Sequence, residues 1–73
     1  MAIVRLIGYF SSIAGYSEKE FIIDQPIKVR DIVNFPNIPE ERIIVLINEK
    51  GANLDSIINS TDYVKIFPVI GGG

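Results

Sequence analysis

The chain has 73 residues, the size of one small domain, and so small a core leaves little free energy for a large enclosed catalytic pocket. It contains no cysteine and no histidine, which excludes disulfides, thiolate metal sites and histidine-based acid–base catalysis. Seven basic and nine acidic residues give a net charge of −2, so no nucleic-acid partner is expected. No apolar run is long enough for a signal peptide or a membrane span, which predicts a soluble, cytoplasmic protein without a membrane partner.

The first two predicted elements are strands. Residues 3–10 carry apolar side chains on both faces, which predicts a strand at the centre of a sheet. Residues 11–15 contain serines and a glycine and predict a turn. Residues 18–24 alternate outward-facing glutamates with apolar side chains and end before Pro26, so a second strand is expected there. The two strands are predicted to form a hairpin.

The sequence contains one good helix candidate, at residues 29–35. Val29, Ile32 and Val33 recur there at helical spacing. Pro36 is expected to end the helix, because proline lacks the backbone donor and disfavours helical geometry at the residue before it. The predicted helix is therefore about two turns long.

The second half of the chain alternates strands with short turns. Residues 43–48 are β-branched and apolar, which predicts a buried strand. Residues 49–53 contain Gly51 and predict a turn, and residues 54–58 predict a short irregular element. Residues 63–70 predict the last strand, again with apolar side chains on both faces.

This order of elements predicts an α+β domain of the β-grasp (ubiquitin-like) class. In this class a mixed sheet of four to five strands packs against one short helix, and the first and last strands lie side by side at the centre. The two-sided apolar character of the first and last predicted strands agrees with that position. The domain is predicted to span residues 1–70, and residues 71–73 are predicted to form a flexible glycine tail.

The tail is the segment of the chain where chemistry is most readily envisaged. Three glycines cannot contribute to a core, and such a run is also typical of a terminus without function. If the tail has a function, its reactive group is the Gly73 carboxylate. This carboxylate could be joined to AMP and then attacked by a sulfur or nitrogen nucleophile. Gly71 and Gly72 would let the tail pass through a narrow channel, and the five residues beyond Pro68 reach roughly 17 Å. In this interpretation the protein is a substrate and carrier, and a partner supplies the catalysis.

The last strand and the tail resemble the end of the MoaD family of sulfur carriers. Asp62 matches an acidic residue of that family, Val64 matches a core valine, and Phe67-Pro68 precedes the terminal diglycine at the same spacing. Weaker similarities follow the order of the chain at Tyr9-Phe10, Ala14-Gly15, residues 29–33, Ile47-Asn48 and Ile58. The resemblance thus covers most of the chain.

The resemblance has departures and alternatives. Val69 stands where the MoaD family often has a second proline, and both the turn after Phe10 and the predicted helix are short. The related ThiS carriers are equally compact and end in diglycine, but they usually lack the Tyr-Phe and Phe-Pro pairs. MoaD is therefore favoured over ThiS. Ubiquitin-like protein modifiers, which share the fold and the tail, and a plain interaction module with an inert tail stay open.

The resemblance to MoaD implies a carrier subunit that is not itself an enzyme. An ATP-dependent adenylating enzyme, which uses ATP and Mg²⁺, would adenylate Gly73, and the adenylate would become a thiocarboxylate. The loaded tail would then give its sulfur to molybdopterin inside the large subunit of molybdopterin synthase. No cofactor or metal is expected on this chain, and the free protein is expected to be a monomer. Molybdenum or tungsten cofactor, thiamine thiazole and tRNA thiolation all remain possible destinations of the sulfur.

Five residues are candidates for contact with a partner. Phe67 and Leu46 alternate away from the predicted core residues of their strands, so they form an exposed apolar patch unless another element covers them. Pro68, Val69 and Ile70 lie beyond the last periodic pair of the final strand, and they are expected to face the partner.

Overall fold

Seven short strands and one α-helix make up the structure, a computed structural model that describes residues 1–69. The elements in chain order are β1 (Ala2–Leu6), α1 (Tyr9–Ala14), β2 (Glu18–Phe21), β3 (Ile27–Lys28), β4 (Ile43–Ile47), β5 (Lys50–Ala52), β6 (Ile57–Ile58) and β7 (Tyr63–Pro68). Two turns of 3-10 helix occupy Val29–Asp31 and Glu40–Arg42. The predicted glycine tail lies outside the described residues. No helix within residues 1–69 is long and apolar enough to cross a membrane.

Five of the strands form one mixed sheet in the order β2-β1-β7-β4-β5. The first and last strands are parallel neighbours, with Val4 opposite Val64, and the other neighbouring pairs are antiparallel. The predicted β-grasp arrangement is confirmed, including the side-by-side position of the first and last strands. β3 and β6 form a separate two-stranded sheet.

The helix lies at a different position from the predicted one. β1 ends at Leu6, although a strand was predicted as far as residue 10, because Gly8 turns the chain out of the sheet. Its φ of 69° and ψ of −147° lie in a region that only glycine enters readily. α1 follows directly and ends at Gly15, whose φ of 86° provides a left-handed cap.

The prediction of a helix over residues 29–35 is wrong, because only one 3-10 turn forms there, at Val29–Asp31. The Asp31 carboxylate accepts a hydrogen bond from the Lys28 backbone N–H at 3.0 Å, which closes this turn on itself. Phe35 then leaves the helical path and stacks on Phe10, with ring centroids 4.3 Å apart. Burying Phe35 in this stack outweighs the weak preference of a short β-branched segment for helix.

Three smaller differences concern the ends of elements. β2 ends at residue 21 instead of 24, and β7 ends at Pro68. The turn predicted over residues 49–53 is a two-residue turn at Asn48 and Glu49, followed directly by β5. β1 and β2 pair as predicted, but α1 connects them.

The hydrophobic core lies against one face of the five-stranded sheet, called here the inner face. β1, β4 and β7 contribute alternate residues to it, and α1, the 29–35 segment and β6 cover it. The buried residues are Ala2, Val4, Leu6, Phe10, Ile23, Val29, Val33, Phe35, Val45, Ile58, Val64, Ile66 and Pro68. The opposite, outer face of the sheet is where the candidate site lies.

Candidate partner-binding surface at the root of the tail

Neighbouring strands bring an apolar group together on the outer face of the sheet. Ile44 on β4 lies directly opposite Phe67 on β7, and Leu46 lies two residues further along β4. Directly opposed residues point to the same side of a sheet, so the three side chains share one surface. All three are half-buried, and they are called here the outer-face group.

The sequence pattern left open whether Phe67 and Leu46 form an exposed patch or are covered by another element. Phe67 and Leu46 are neither fully exposed nor part of the buried core. They remain accessible because the covering segments of the described chain pack on the other face. Ile44 was missed as a site residue. Its position two residues before Leu46 on the same strand is the signal that could have found it.

A charged row crosses the outer face next to this group. Arg5 on β1 lies opposite Lys65 on β7, and Glu18 on β2 lies opposite Arg5. The Lys65 ammonium pairs with a Glu49 carboxylate oxygen at 2.6 Å and lies 5.7 Å from the centroid of the Tyr63 ring. Two cations thus occupy the middle of the sheet, with a carboxylate on each side.

The end of β7 is anchored where the tail begins. The Val69 backbone N–H donates to the Arg42 carbonyl at 2.9 Å, which ties the chain to the segment before β4. The Val69 side chain is exposed. Gly8 lies beside the same strand end, because a Cβ built on it would be 3.4 Å from the Pro68 ring.

The structure does not expose Pro68, which was expected to face a partner. It is buried, because it alternates with Phe67 and falls on the inner face together with Val64 and Ile66. A rigid ring at this position fixes the last backbone step before Val69. The remaining predicted site residues, Ile70, Gly71, Gly72 and Gly73, lie outside the described residues.

A hydrogen-bond network holds the opposite end of β7. The Asn48 side-chain amide donates to Asp62 at 2.9 Å, and the Tyr63 backbone N–H donates to the Asn48 side-chain oxygen at 3.0 Å. The Asn59 backbone N–H donates to the other Asp62 oxygen at 2.8 Å. Asn48 and Asp62 therefore fix the register of β4 against β7, which places Phe67 opposite Ile44. Their role in this structure is architectural.

A second polar cluster joins the two 3-10 turns to the loop before β6. Arg30 donates to Asp55 at 2.8 Å and to Glu40 at 2.7 Å, and Lys28 lies 3.9 Å from Asp55. The Arg30 guanidinium lowers the pKa of the Asp55 carboxyl, and the two carboxylates raise the pKa of Arg30. These groups are exposed, so the cluster adds little stability.

Within residues 1–69, no group of three or more histidine, cysteine, aspartate or glutamate residues is arranged to hold a metal ion.

Two comparisons with known proteins complete the description of the site. The model of the ThiS family matches residues 4–73, which is nearly the whole chain and includes the three terminal glycines. A search among curated proteins finds no match.

Proposed function

The chain belongs to the ThiS family of small ubiquitin-like carriers, and we propose that it carries sulfur on the carboxylate of Gly73. The carboxylate attacks the α-phosphate of ATP on an activating enzyme, which forms the acyl-adenylate and releases pyrophosphate. Hydrosulfide then displaces AMP and leaves a thiocarboxylate directly. With a persulfide donor, displacement of AMP gives an acyl disulfide, and a thiol of the activating system cleaves it to the thiocarboxylate and leaves in a disulfide with the donor sulfur. Adenylation is needed because a carboxylate oxygen is itself a poor leaving group. ATP and Mg²⁺ belong to the activating enzyme, and this chain supplies only the acceptor.

The family match through residue 73 is the observation that carries this proposal. The structure supports it with a site suited to delivering a chain end into another protein. β7 is held between two strands at the centre of the sheet, and Val69 is tied to Arg42 at its end. A fixed root beside an accessible apolar group is what a partner needs to receive the tail in a defined direction.

The outer-face group is the proposed docking surface on the body of the carrier. Leu46 and Phe67 pack against the partner together with Ile44, and Val69 and Ile70 line the entrance to its channel. Gly71 and Gly72 thread through that channel because they carry no side chain. Pro68 supports the root from the inner face and makes no contact with the partner.

The finer proposal is that the sulfur goes to molybdopterin, with this chain as the small subunit of molybdopterin synthase. The Phe67-Pro68 pair of the resemblance supports it, and the two residues lie on opposite faces of β7, Phe67 half-buried and Pro68 buried. The buried Phe10 of the Tyr9-Phe10 pair supports it as well. The second candidate is a carrier for the thiazole of thiamine, with which the match to the ThiS family is equally consistent.

Intact mass spectrometry tests the carrier proposal. The protein is incubated with ATP, a sulfur donor and the activating enzyme of the same source. The expected result is a mass increment equal to one sulfur in place of one oxygen, mapped to the peptide that ends at Gly73. A variant with one residue added after Gly73 is the matched control, and it should fold normally but stay unloaded. Loading of the extended variant, or no loading of the native chain by an enzyme active on another carrier, would refute the proposal.

The destination of the sulfur needs a separate measurement. The loaded carrier is offered to the large subunit of molybdopterin synthase and, in parallel, to a thiazole synthase. Single-turnover loss of the thiocarboxylate with the first enzyme supports the molybdopterin assignment. Consumption by the second enzyme alone replaces that assignment with the thiazole one. A covalent adduct with protein lysines that resists reductant would instead indicate a protein modifier.

A further inference from the structure

The exposed large hydrophobic side chains of the described residues are unevenly distributed. Ile7, Tyr9 and Ile13 are exposed within one stretch of seven residues, and Val69 is exposed at the end of β7. Single exposed apolar residues are ordinary on protein surfaces, but a cluster at one place is a feature of interaction sites. Ile7, Tyr9 and Ile13 are called here the α1 surface.

The α1 surface lies beside the root of the tail. The Ile7 backbone N–H donates to the Ile66 carbonyl at 3.0 Å, which continues the pairing of the first strand with β7. Gly8 lies beside the Pro68 ring, since a Cβ built on Gly8 would be 3.4 Å from it. Tyr9 starts α1 directly after this contact, and Ile13 follows on the same face of the helix one turn later.

The fold explains why these side chains are left exposed. α1 contributes only Phe10 to the buried core, where this ring stacks on Phe35. Tyr9 packs edge-on against the Phe10 ring at 5.0 Å, with half of its surface still exposed. Ile13 is 54% exposed. Neither side chain is needed to fill the core.

The length of the tail limits how far an enzyme that acts on Gly73 can lie from the α1 surface. Gly73 lies four residues beyond Val69, and four fully extended residues span about 14 Å. An enzyme that adenylates Gly73 must bring its active site within this distance of Val69. Its surface therefore covers the surroundings of Val69, which include α1 as well as the outer-face group.

We propose that the α1 surface is a second docking site for the adenylating enzyme, on the other side of the tail root from the outer-face group. This inference rests on the proposed function, because it requires that Gly73 be activated by another protein. The adenylating enzyme is the chosen partner because activation precedes every later fate of the tail. The matching surface on that enzyme is apolar, since the α1 surface presents two isoleucines and a tyrosine ring.

Steady-state kinetics of carrier-dependent ATP–pyrophosphate exchange tests the inference. The variants are Tyr9→Ser and Ile13→Ser, singly and combined, and both side chains are exposed enough to leave the core intact. The matched control is Ile22→Ser, because Ile22 is the most exposed isoleucine within residues 1–69, at 77%, and lies between β2 and β3. The combined variant should raise the KM for the carrier about tenfold with kcat nearly unchanged, as expected for lost docking contacts. Ile22→Ser should match the native chain.

Deletion of Gly71, Gly72 and Gly73 separates failure of this inference from failure of the proposed function. Exchange that survives the deletion would refute the proposed function, whatever the α1 variants do. Exchange abolished by the deletion but unaffected by the combined variant would refute the α1 surface alone. Analytical ultracentrifugation of the native chain and the combined variant tests whether a second copy of this chain occupies the α1 surface instead. A native dimer that becomes a monomer in the variant would assign this surface to a second copy and overturn the inference.

Discussion

Substitution of Gly8 by alanine tests how the chain is turned from β1 into α1. Gly8 has a φ of 69° and a ψ of −147°, a combination that is essentially limited to glycine. The added methyl group would lie 3.4 Å from the Pro68 ring, which is an ordinary van der Waals contact. The cost therefore comes from the backbone conformation and not from a clash.

The magnitude follows from that conformation. We expect Gly8→Ala to lower the free energy of unfolding by about 2–3 kcal/mol, near the upper end for a residue held in a sparsely populated region. In a domain of this size such a loss lowers the Tm by roughly 10–20 °C. The core of a 73-residue domain supplies little more free energy of folding than this loss. The variant should therefore be partly unfolded near physiological temperature.

Two other glycines provide matched controls. Gly15 has a φ of 86° with open space around it, so Gly15→Ala should cost only about 1 kcal/mol. Gly51 has an ordinary φ and open space, so Gly51→Ala should change stability by less than about 0.5 kcal/mol. Urea unfolding followed by far-UV circular dichroism measures all three. Equal stability of the Gly8 and Gly51 variants would refute the argument from backbone conformation.

Three further predictions concern other parts of the fold. Ile66→Ala leaves a cavity under the fully buried centre of β7 and should lower the free energy of unfolding by about 2–5 kcal/mol. Phe67→Ser changes the outer face, so this variant should stay folded by circular dichroism but lose partner binding in a pull-down. Asn48→Ala removes the hydrogen bonds to Asp62 and to the Tyr63 N–H and leaves alanine at a φ of 52°, so a loss of about 2–3 kcal/mol is expected in urea unfolding. The lowered pKa of Asp55 means that its pairing stabilises the fold above the carboxyl's unfolded pKa of about 4 and is lost as the pH falls below it. The stability gap between the native chain and Asp55→Asn should therefore shrink between about pH 6 and about pH 3; a gap that stays constant would contradict the pairing.

The sheet was largely predictable because its signals are local. Residues 43–47 and 63–68 are strands of β-branched and aromatic side chains, and their sequence pattern alone identifies them. Apolar side chains on both faces of the first and last strands also indicated that the two lie together at the centre. The glycine run behind Phe67-Pro68 indicated a carrier of this family, since that combination sits at a defined spacing along the chain.

Contacts between residues far apart in sequence decided the rest. The helical spacing of Val29, Ile32 and Val33 is real, but stacking of Phe35 on Phe10 drew this segment into the core instead. α1 formed where a strand was predicted because Gly8 adopts a positive φ, which propensity does not reveal.

The accessibility of Phe67 is the clearest case of a property that only the tertiary structure determines. Val64, Ile66 and Pro68 alternate with Tyr63, Lys65 and Phe67, and the charge of Lys65 marks the second set as the one away from the core. Alternation does not say whether a further segment covers the second set. The segments that cover Ile66 and Pro68 come from α1 and residues 29–35, and their packing leaves Phe67 on the accessible face. The sequence alone thus determined the strands and the carrier family, while long-range packing determined which side chains remain for a partner.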